Sequence, residues 1–362
     1  MSEPKLLEYL ARLVAADTQN PPRTIALDDP LFHFLTTEAA RFGLEIETVD
    51  HGAGRVAWWA RRGQPHVLFN VHLDTVPAAR DWQGDPHVLQ VVGDRAIGLG
   101  ACDIKGAAAC LLTLAAETDL PLSLLFTTDE EGTQNCCVAR FVESHPRLAP
   151  HLVVVAEPTE ARVVLGHRGY VSAKVEFSGV AAHTSTPRAQ RQSAVHSLIE
   201  WASQALTAVR EMEQATGPET DLCFNLGTVA GGVKNNVVAE HAELRWSARP
   251  PAGFDARMLL NRLTTLSPEH PVQIDVTFAG AGLPAQPAGR AELAQRVHAL
   301  GLEIGADVPF WTEASIFSAA GWPTLVLGPG HIAQAHTANE WVRLADLSAS
   351  KEAYRRIASA LR

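Results

Sequence analysis

Several kinds of protein are excluded by what this chain lacks. Only five of its 362 residues are cysteine, and no two of them are separated by two residues. A disulfide framework and a cysteine-rich zinc knuckle are therefore both disfavoured. No apolar run approaches membrane-spanning length, and charged residues interrupt the N-terminal leucines where a secretion signal would be uniformly apolar. We expect a protein of the reducing cytoplasm that has no membrane partner.

Positive charge is also in the minority. The chain has 30 Lys and Arg against 40 Asp and Glu, which gives a net charge of −10. This balance disfavours nucleic acid as a partner. Hydrophobic residues make up 46% and charged residues 19% of the chain, as in a globular protein with a sizeable core. The length exceeds what one core usually holds, so we expect two domains or one domain with a large insertion.

Short apolar runs alternate with helical segments in the first part of the chain. The runs at 67–71, 122–127 and 152–155 are typical of strands buried on both faces of a parallel sheet. Segments 106–117 and 137–143 lie between them and have helical patterns. The sequence therefore predicts an α/β catalytic domain with a mainly parallel sheet flanked by helices.

The order of elements changes in the middle of the chain. From about residue 171 the pattern is strand, helix, strand, strand, helix, strand, which is the ferredoxin-like βαββαβ arrangement. A turn-rich segment at 280–284 precedes a return to the α/β pattern. We predict one domain formed by residues 1–166 and 281–362, and an inserted domain formed by residues 167–280.

Titratable side chains follow the predicted parallel strands or lie in the loops between them. They are His72, Asp74, Asp103, Glu130, Glu131, Glu157 and His336. The carboxyl ends of parallel strands meet at one edge of a sheet, so we expect these side chains to converge. Histidine and carboxylate ligands suit a borderline divalent ion, and the set exceeds what one four-coordinate zinc needs. Two metal ions that share one carboxylate would account for it.

Each of these residues has a simpler explanation when it is considered alone. Asp103 could cap the N-terminus of the helix that follows it. The acidic turn at 129–131 could be a solvated loop, and His72 or His336 an ordinary loop histidine. A nucleotide loop at 98–106 is disfavoured because the segment lacks both phosphate-binding glycine spacings and carries an anion. The joint pattern is more specific than any of its members.

Five motifs of the chain resemble the dinuclear metallopeptidases and deacylases of the M20 family. They are HLDTVP at 72–77, CDIKG at 102–106, TTDEEG at 127–132, EPT at 157–159 and AHTANE at 335–340. The likeness extends from about residue 5 to the end of the chain, and it implies a zinc-peptidase-like catalytic domain.

The resemblance also implies a role for each residue of the cluster. One metal would be bound by His72, Asp103 and Glu157, and the other by Asp103, Glu131 and His336, so that Asp103 bridges the two. Asp74 would orient His72, and Glu130 would be the general base. Zinc is the expected metal, with cobalt or manganese as alternatives.

The inserted domain resembles the lid and dimerisation domain of the same family. The resemblance implies a catalytic His183 that reaches the active site of the other subunit in a homodimer. It implies a substrate-binding role for Asn236, Arg249, Thr312, Glu313, Gly328 and Gly330.

Within the family, the motifs look closest to the acetylornithine deacetylase branch and its N-acetylcitrulline deacetylases. The expected reaction removes the N-acetyl group of N-acetyl-L-ornithine or N-acetyl-L-citrulline in arginine biosynthesis and releases acetate. Desuccinylase, aminoacylase and carboxypeptidase activities are alternatives within the family. A metal-binding scaffold without catalysis is a more distant alternative, because a metal binder needs no second carboxylate, Glu130, beside Glu131.

Overall fold

The computed structural model describes residues 3–22, 24–132, 136–217, 221–266, 272–285 and 289–361. They fall into two units. The first unit comprises Met1–Gly166, Gln286–Asp307 and Thr312–Arg362, and the second comprises His167–Ala285 and Val308–Trp311.

The helices and strands are numbered in chain order. The first unit begins with α1 (Pro4–Ala15), α2 (Pro30–Arg41), β1 (Glu45–Asp50), β2 (Val56–Arg62), β3 (Val67–His72), β4 (Gln90–Val92), β5 (Arg95–Ile97), α3 (Lys105–Glu117), β6 (Leu122–Thr127), α4 (Cys136–Ser144) and β7 (Leu152–Val155). The second unit contains β8 (Tyr170–Ser178), β9 (Ala182–His183), α5 (Ala194–Thr216), β10 (Asn225–Gly231), β11 (Val237–Val238), β12 (His241–Ala248), α6 (Ala256–Thr264) and β13 (Val272–Gly280). The chain then returns to the first unit with α7 (Arg290–Ala299), α8 (Ala314–Ala319), β14 (Thr324–Val326), β15 (Trp341–Arg343) and α9 (Leu344–Ala360). Two 3₁₀ helices, at Ala189–Gln192 and Ile332–Gln334, complete the described elements.

The central sheet of the first unit has the strand order β1-β2-β6-β3-β7-β14. Strands β6, β3, β7 and β14 are mutually parallel, whereas β1 and β2 pair in antiparallel fashion at one edge. Every residue of β3, β6 and β7 is buried, as expected for strands covered on both faces. The alanine- and leucine-rich helix α3 packs against α1 and α9 and is buried almost all round. The prediction of a mainly parallel α/β sheet is confirmed.

A small antiparallel sheet, β15-β5-β4, was not predicted from the sequence. Its strands have only three residues each, and all three residues of β4 are exposed, so they show no apolar alternation. In this sheet Trp341 of β15 pairs with Ile97 of β5. This sheet matters for the site, because β5 leads into the loop of Asp103 and β15 follows the loop of His336.

The second unit contains an antiparallel sheet with the order β10-β12-β8-β13. Helix α5 packs against β8 and β12, and α6 packs against β13. Residues of β12 are alternately buried and more exposed, so one face of the sheet is apolar and lies under the helices. This is the ferredoxin-like arrangement that the order of elements predicted. Among the described helices, none has the length and apolarity needed to cross a membrane.

Candidate metal centre

The parallel strands of the first unit end at the same level of the sheet. His72, the last residue of β3, is in register with Thr127, the last residue of β6. On the other side of β3, Asn70 is in register with Val155, the last residue of β7. The polar residues that follow these strands therefore begin at one edge of the sheet, as the rule for parallel sheets requires.

The five predicted metal ligands come together at this edge. His72, Asp103 and Glu157 form one group and Asp103, Glu131 and His336 form another, and within each group the ligand atoms lie within 4.8 Å of one another. Oδ1 of Asp103 lies 3.3 Å from His72 Nε2, and Oδ2 lies 3.2 Å from His336 Nε2. The two oxygens of one carboxylate thus face two different histidines. This is the arrangement that a bridging carboxylate needs.

The loop that carries Asp103 is held by hydrogen bonds to a second, buried acid. Asp103 is not the cap of α3, because the N-cap residue is Ile104 and no side chain caps this helix. The carboxylate of Glu340 accepts hydrogen bonds from the backbone N–H groups of Gly100, Cys102 and Asp103. Sequence reasoning assigned no role to Glu340, although it closes the same motif as His336.

Asp74 makes more contacts than its predicted role, orienting His72, requires. His72 Nδ1 lies 2.9 Å from the carbonyl oxygen of Asp74 and 3.5 Å from its Oδ1, so the shorter contact is to the backbone. The Asp74 carboxylate accepts the backbone N–H groups of Glu130 at 3.3 Å and Glu131 at 3.0 Å. The side chain of Asn20, which sequence reasoning missed, donates to Asp74 Oδ2 at 3.1 Å. Because the Asp74 carbonyl oxygen can only accept, His72 Nδ1 carries the proton in this hydrogen bond. Nε2 of His72 is therefore the atom that can bind a metal.

The two glycines predicted to line the substrate site lie against the loops of the metal cluster. A Cβ atom at Gly328 would lie 2.6 Å from the carbonyl oxygen of Glu157. A Cβ atom at Gly330, where φ is +84°, would lie 2.5 Å from Cys102 Sγ. At both positions the missing side chain lets the segment after β14 approach the ligand loops closely.

The other predicted substrate residues of the first unit are buried. Thr312 is 0% and Glu313 1% exposed. Thr127 Oγ1 donates a 3.5 Å hydrogen bond to Glu313 Oε2, which places Glu313 beside the end of β6. Burial, and next the charge of Asp129, raises the pKa of Glu313 well above its usual value.

Burial, hydrogen bonds and neighbouring charges shift the pKa values of the groups in the cluster. Burial raises the pKa of Glu130 to about 8, although the charge of His72 opposes this rise. Burial likewise raises the pKa of Glu157 well above its usual value, with the charge of Asp103 adding to the effect. Hydrogen bonds to Asp103, and next to Glu131, raise the pKa of His336 to about 11. Without a cation, burial and the nearby acids therefore favour the protonated forms of Glu130 and Glu157, and hydrogen bonds to acids favour that of His336.

A divalent cation would relieve the same repulsion. The donor set of imidazole nitrogens and carboxylate oxygens is the set that a borderline divalent metal takes. On donor chemistry, charge and spacing, the residues of the cluster fit a pair of such ions.

A third group of potential ligands lies in the second unit. It has a positively charged side chain beside its acids. Glu176, His241 and Glu243 bring their ligand atoms within 4.8 Å of one another on β8 and β12. The ammonium group of Lys174 lies 2.7 Å from Glu176 and 3.1 Å from Glu243. A side-chain cation already compensates the two glutamates, so this group does not call for a metal ion.

The predicted lid residues lie on three segments of the second unit. His183 in β9 is exposed, and its Nδ1 lies 2.7 Å from Ser185 Oγ. Asn236 precedes β11, which pairs with β9, and its carbonyl oxygen accepts the N–H of Thr184. The guanidinium of Arg249, which directly follows β12, stacks over the ring of Tyr170 at 4.3 Å.

Comparison with known proteins gives a consistent result. Residues 68–360 match peptidase family M20/M25/M40. N-acetyl-L-citrulline deacetylase from Xanthomonas campestris pv. campestris is 45% identical over 358 residues, which are 97% of this chain and 96% of that protein. Acetylornithine deacetylase from Aliivibrio fischeri is 29% identical over 315 residues, 83% of this chain and 82% of that one. A crystal structure of a tripeptidase from Staphylococcus aureus shares the fold, with a TM-score of 0.74, 19% identity and coverage of 100% of this chain and 99% of that chain.

The parallel α/β unit with its histidine and carboxylate cluster, together with the ferredoxin-like insertion, defines a metal-dependent amide hydrolase. The chain belongs to peptidase family M20/M25/M40. The resemblance and the enzyme class predicted from the motifs are confirmed. Membership implies use of a divalent metal, and the two ligand groups of the first unit are candidates for binding it.

Proposed function

We propose that this protein is an N-acyl amino acid deacetylase with a dinuclear metal centre, and that its substrate is N-acetyl-L-citrulline. The observation that carries the proposal is the sharing of Asp103 between two ligand groups, together with Glu130, which is next to the ligand Glu131 in the chain and belongs to neither group. The 45% identity with an N-acetyl-L-citrulline deacetylase over nearly the whole chain supports the choice of substrate. A place in cytoplasmic arginine biosynthesis is part of the proposal.

The metal ions would be held by the two groups described above. His72, Asp103 and Glu157 would bind one ion, and Asp103, Glu131 and His336 the other. Zinc suits this mixture of imidazole and carboxylate ligands. When bound, a pair of divalent ions supplies Lewis-acid activation of water and of the amide carbonyl.

Glu130 would move the proton. Its backbone N–H is tied to Asp74, and Glu131 beside it belongs to the ligand set, so the turn presents one carboxylate to the metal and leaves the other for catalysis. A carboxylate that is not itself a metal ligand can accept a proton from water and return it. Glu130 takes the proton of the attacking water and delivers it to the departing α-amine.

The second unit would act as a lid and as a dimerisation domain, with the first unit as the catalytic domain. The contact of Nδ1 with Ser185 orients the His183 ring and leaves Nε2 to donate to the developing oxyanion. Arg249 and Asn236 would bind the α-carboxylate of the substrate. Strand β10 lies at a sheet edge, and Val229 on it and Ile199 on α5 are exposed, which supports pairing with a second copy.

Steady-state kinetics on three substrates tests the proposal. N-acetyl-L-citrulline, N-acetyl-L-ornithine and N-succinyl-diaminopimelate are each assayed with and without a chelator. We expect the highest kcat/KM with N-acetyl-L-citrulline and loss of all activity after metal removal. Preference for the succinyl compound would reassign the branch of the family, and full activity without metal would refute the mechanism.

A further inference from the structure

The carboxylate of Glu340 is buried beneath the loop that carries Asp103. Its Oε1 accepts the backbone N–H groups of Cys102 and Asp103, both at 2.8 Å, and its Oε2 accepts that of Gly100 at 2.9 Å. Glu340 is 2% exposed. One side chain thus receives three backbone donors from the four-residue stretch 100–103, which includes the shared candidate ligand Asp103.

Glu340 also belongs to the segment that carries His336, the exposed ligand of the two groups. It follows His336 by four residues, and its carbonyl oxygen accepts the N–H of Gly98 at 3.0 Å. Directly after Glu340, β15 begins and pairs with β5, which itself precedes Gly98. The loop of Asp103 and the loop of His336 are therefore joined at their bases, first by a strand ladder and then by the Glu340 carboxylate.

The backbone of the His336 loop needs such support. His336 and Asn339 have φ angles of +59° and +57°, a backbone conformation that residues other than glycine adopt at a cost in free energy. The His336 side chain is 51% exposed, so packing around the ring does little to hold it. The buried anchor at Glu340 comes one residue after the second of these strained positions.

We propose that Glu340 is a positioning residue that fixes the bridging Asp103 relative to His336. It thereby sets the affinity for the second metal ion, the one that Asp103, Glu131 and His336 would bind. This inference rests on the proposed dinuclear function. A carboxylate is required because all three partners are donors, and each of its oxygens can accept. In Glu340→Gln the amide NH₂ would face an N–H group, so at least one loop donor would lose its acceptor.

A cobalt titration tests this role without using activity. The metal-free full-length protein is titrated with Co²⁺ while the visible absorption of the bound ion is recorded. We expect two equivalents in the unaltered protein. In Glu340→Gln the second equivalent should bind about 10–100-fold more weakly, the range typical for loss of a group that orients a metal ligand, with an altered spectrum.

Glu38→Gln is the matched control, since Glu38 is also a buried glutamate of the first unit and accepts a hydrogen bond from Tyr9. It should bind both equivalents normally. Thermal melting of each metal-free variant separates a loss of stability from a loss of metal affinity. A second variant, Glu340→Asp, keeps the charge but is one methylene too short, and should show a smaller loss in the second equivalent.

The outcomes are distinguishable. Unchanged binding of both equivalents in folded Glu340→Gln, or in Glu340→Asp if the first variant does not fold, would overturn the proposal. Failure of both variants to fold would also overturn it, because Glu340 would then be a residue of the fold. If the unaltered protein does not bind two equivalents, the dinuclear site itself is refuted.

Discussion

The carboxylate of Asp74 accepts the backbone N–H of Glu131, with 3.0 Å between Oδ2 and the amide nitrogen. The same residue receives His72 Nδ1 on its carbonyl oxygen at 2.9 Å. Asp74 therefore connects one candidate ligand, His72, with the turn that carries another candidate ligand, Glu131, and the proposed general base, Glu130. Loss of this connection should disturb both halves of the centre at once.

Asp74→Asn should lower metal affinity as well as turnover. The new amide can accept through only one atom, so one of the two backbone N–H groups of Glu130 and Glu131 loses its acceptor. We expect about 10–100-fold weaker metal binding, measured by zinc content after dialysis against graded chelator, together with a reduced kcat. Asn20→Ala removes a single donor to Asp74 and should have a smaller effect. Full metal content and normal turnover in Asp74→Asn would contradict this role.

Glu130→Gln should separate catalysis from metal binding. Glutamine cannot take a proton from water, so kcat should fall by about 10²–10⁴-fold, while metal content stays near two ions per chain. His336→Ala is the comparison, because it should lose metal as well as activity. Metal analysis and initial rates on the same preparations check both statements. Near-normal activity of Glu130→Gln would remove it as the base.

Metal binding should release protons near neutral pH. The folded protein raises the pKa of Glu130 from 4.5 to about 8 through burial, and that of His336 from 6.5 to about 11 through hydrogen bonds to Asp103 and Glu131. Because both values are raised, the stability these groups contribute is complete below pH 4.5 and 6.5 respectively, and it is lost as the pH rises through about 8 and about 11. A bound cation displaces these protons, so metal affinity should rise with pH.

Calorimetry in buffers with different ionisation enthalpies measures this release directly. The apparent binding enthalpy should depend on the buffer, and Glu130→Gln should release fewer protons near pH 7 than the unaltered protein. The metal-free protein should also melt at a lower temperature at pH 9 than at pH 6, and less so in Glu130→Gln. An enthalpy independent of buffer would show that the site carries no displaceable protons.

Arg249→Ala should raise KM and leave kcat nearly unchanged. A guanidinium paired with the substrate carboxylate contributes equally to the ground state and the transition state, so its loss appears in KM. Charge-assisted hydrogen bonds are worth roughly 1.5–3 kcal/mol, so we expect about a tenfold rise or more. Arg257→Ala is the control, since Arg257 is exposed in the same unit and pairs with Asp255. An unchanged KM in Arg249→Ala would exclude Arg249 from substrate binding.

Much of the fold was predictable because its elements have strong local patterns. The buried strands β3, β6 and β7 are short, mostly apolar runs, and α3 is a long alanine- and leucine-rich segment, so each is recognisable without its neighbours. Strands β4, β5 and β15 were missed because three residues are too few to show a period. Their pairing depends on contacts between residues about 245 positions apart, such as Ile97 and Trp341.

The kinds of donor atom at the candidate site could be predicted from the sequence alone. The residue types at the strand ends, two imidazoles among several carboxylates, determine which ions can bind, because donor atoms are a property of the side chains. For His72, Glu131 and Glu157, a position at or after the end of a buried parallel strand determines that they meet at one sheet edge.

Only the tertiary structure decided how those donors are held. That Asp103 faces His72 with one oxygen and His336 with the other follows from where two loops meet. That Glu340 and Asp74 accept backbone N–H groups could not be predicted, because a backbone donor carries no mark in the sequence and its partner is chosen by folding. Close approach at Gly328 and Gly330 likewise depends on neighbours that are distant along the chain.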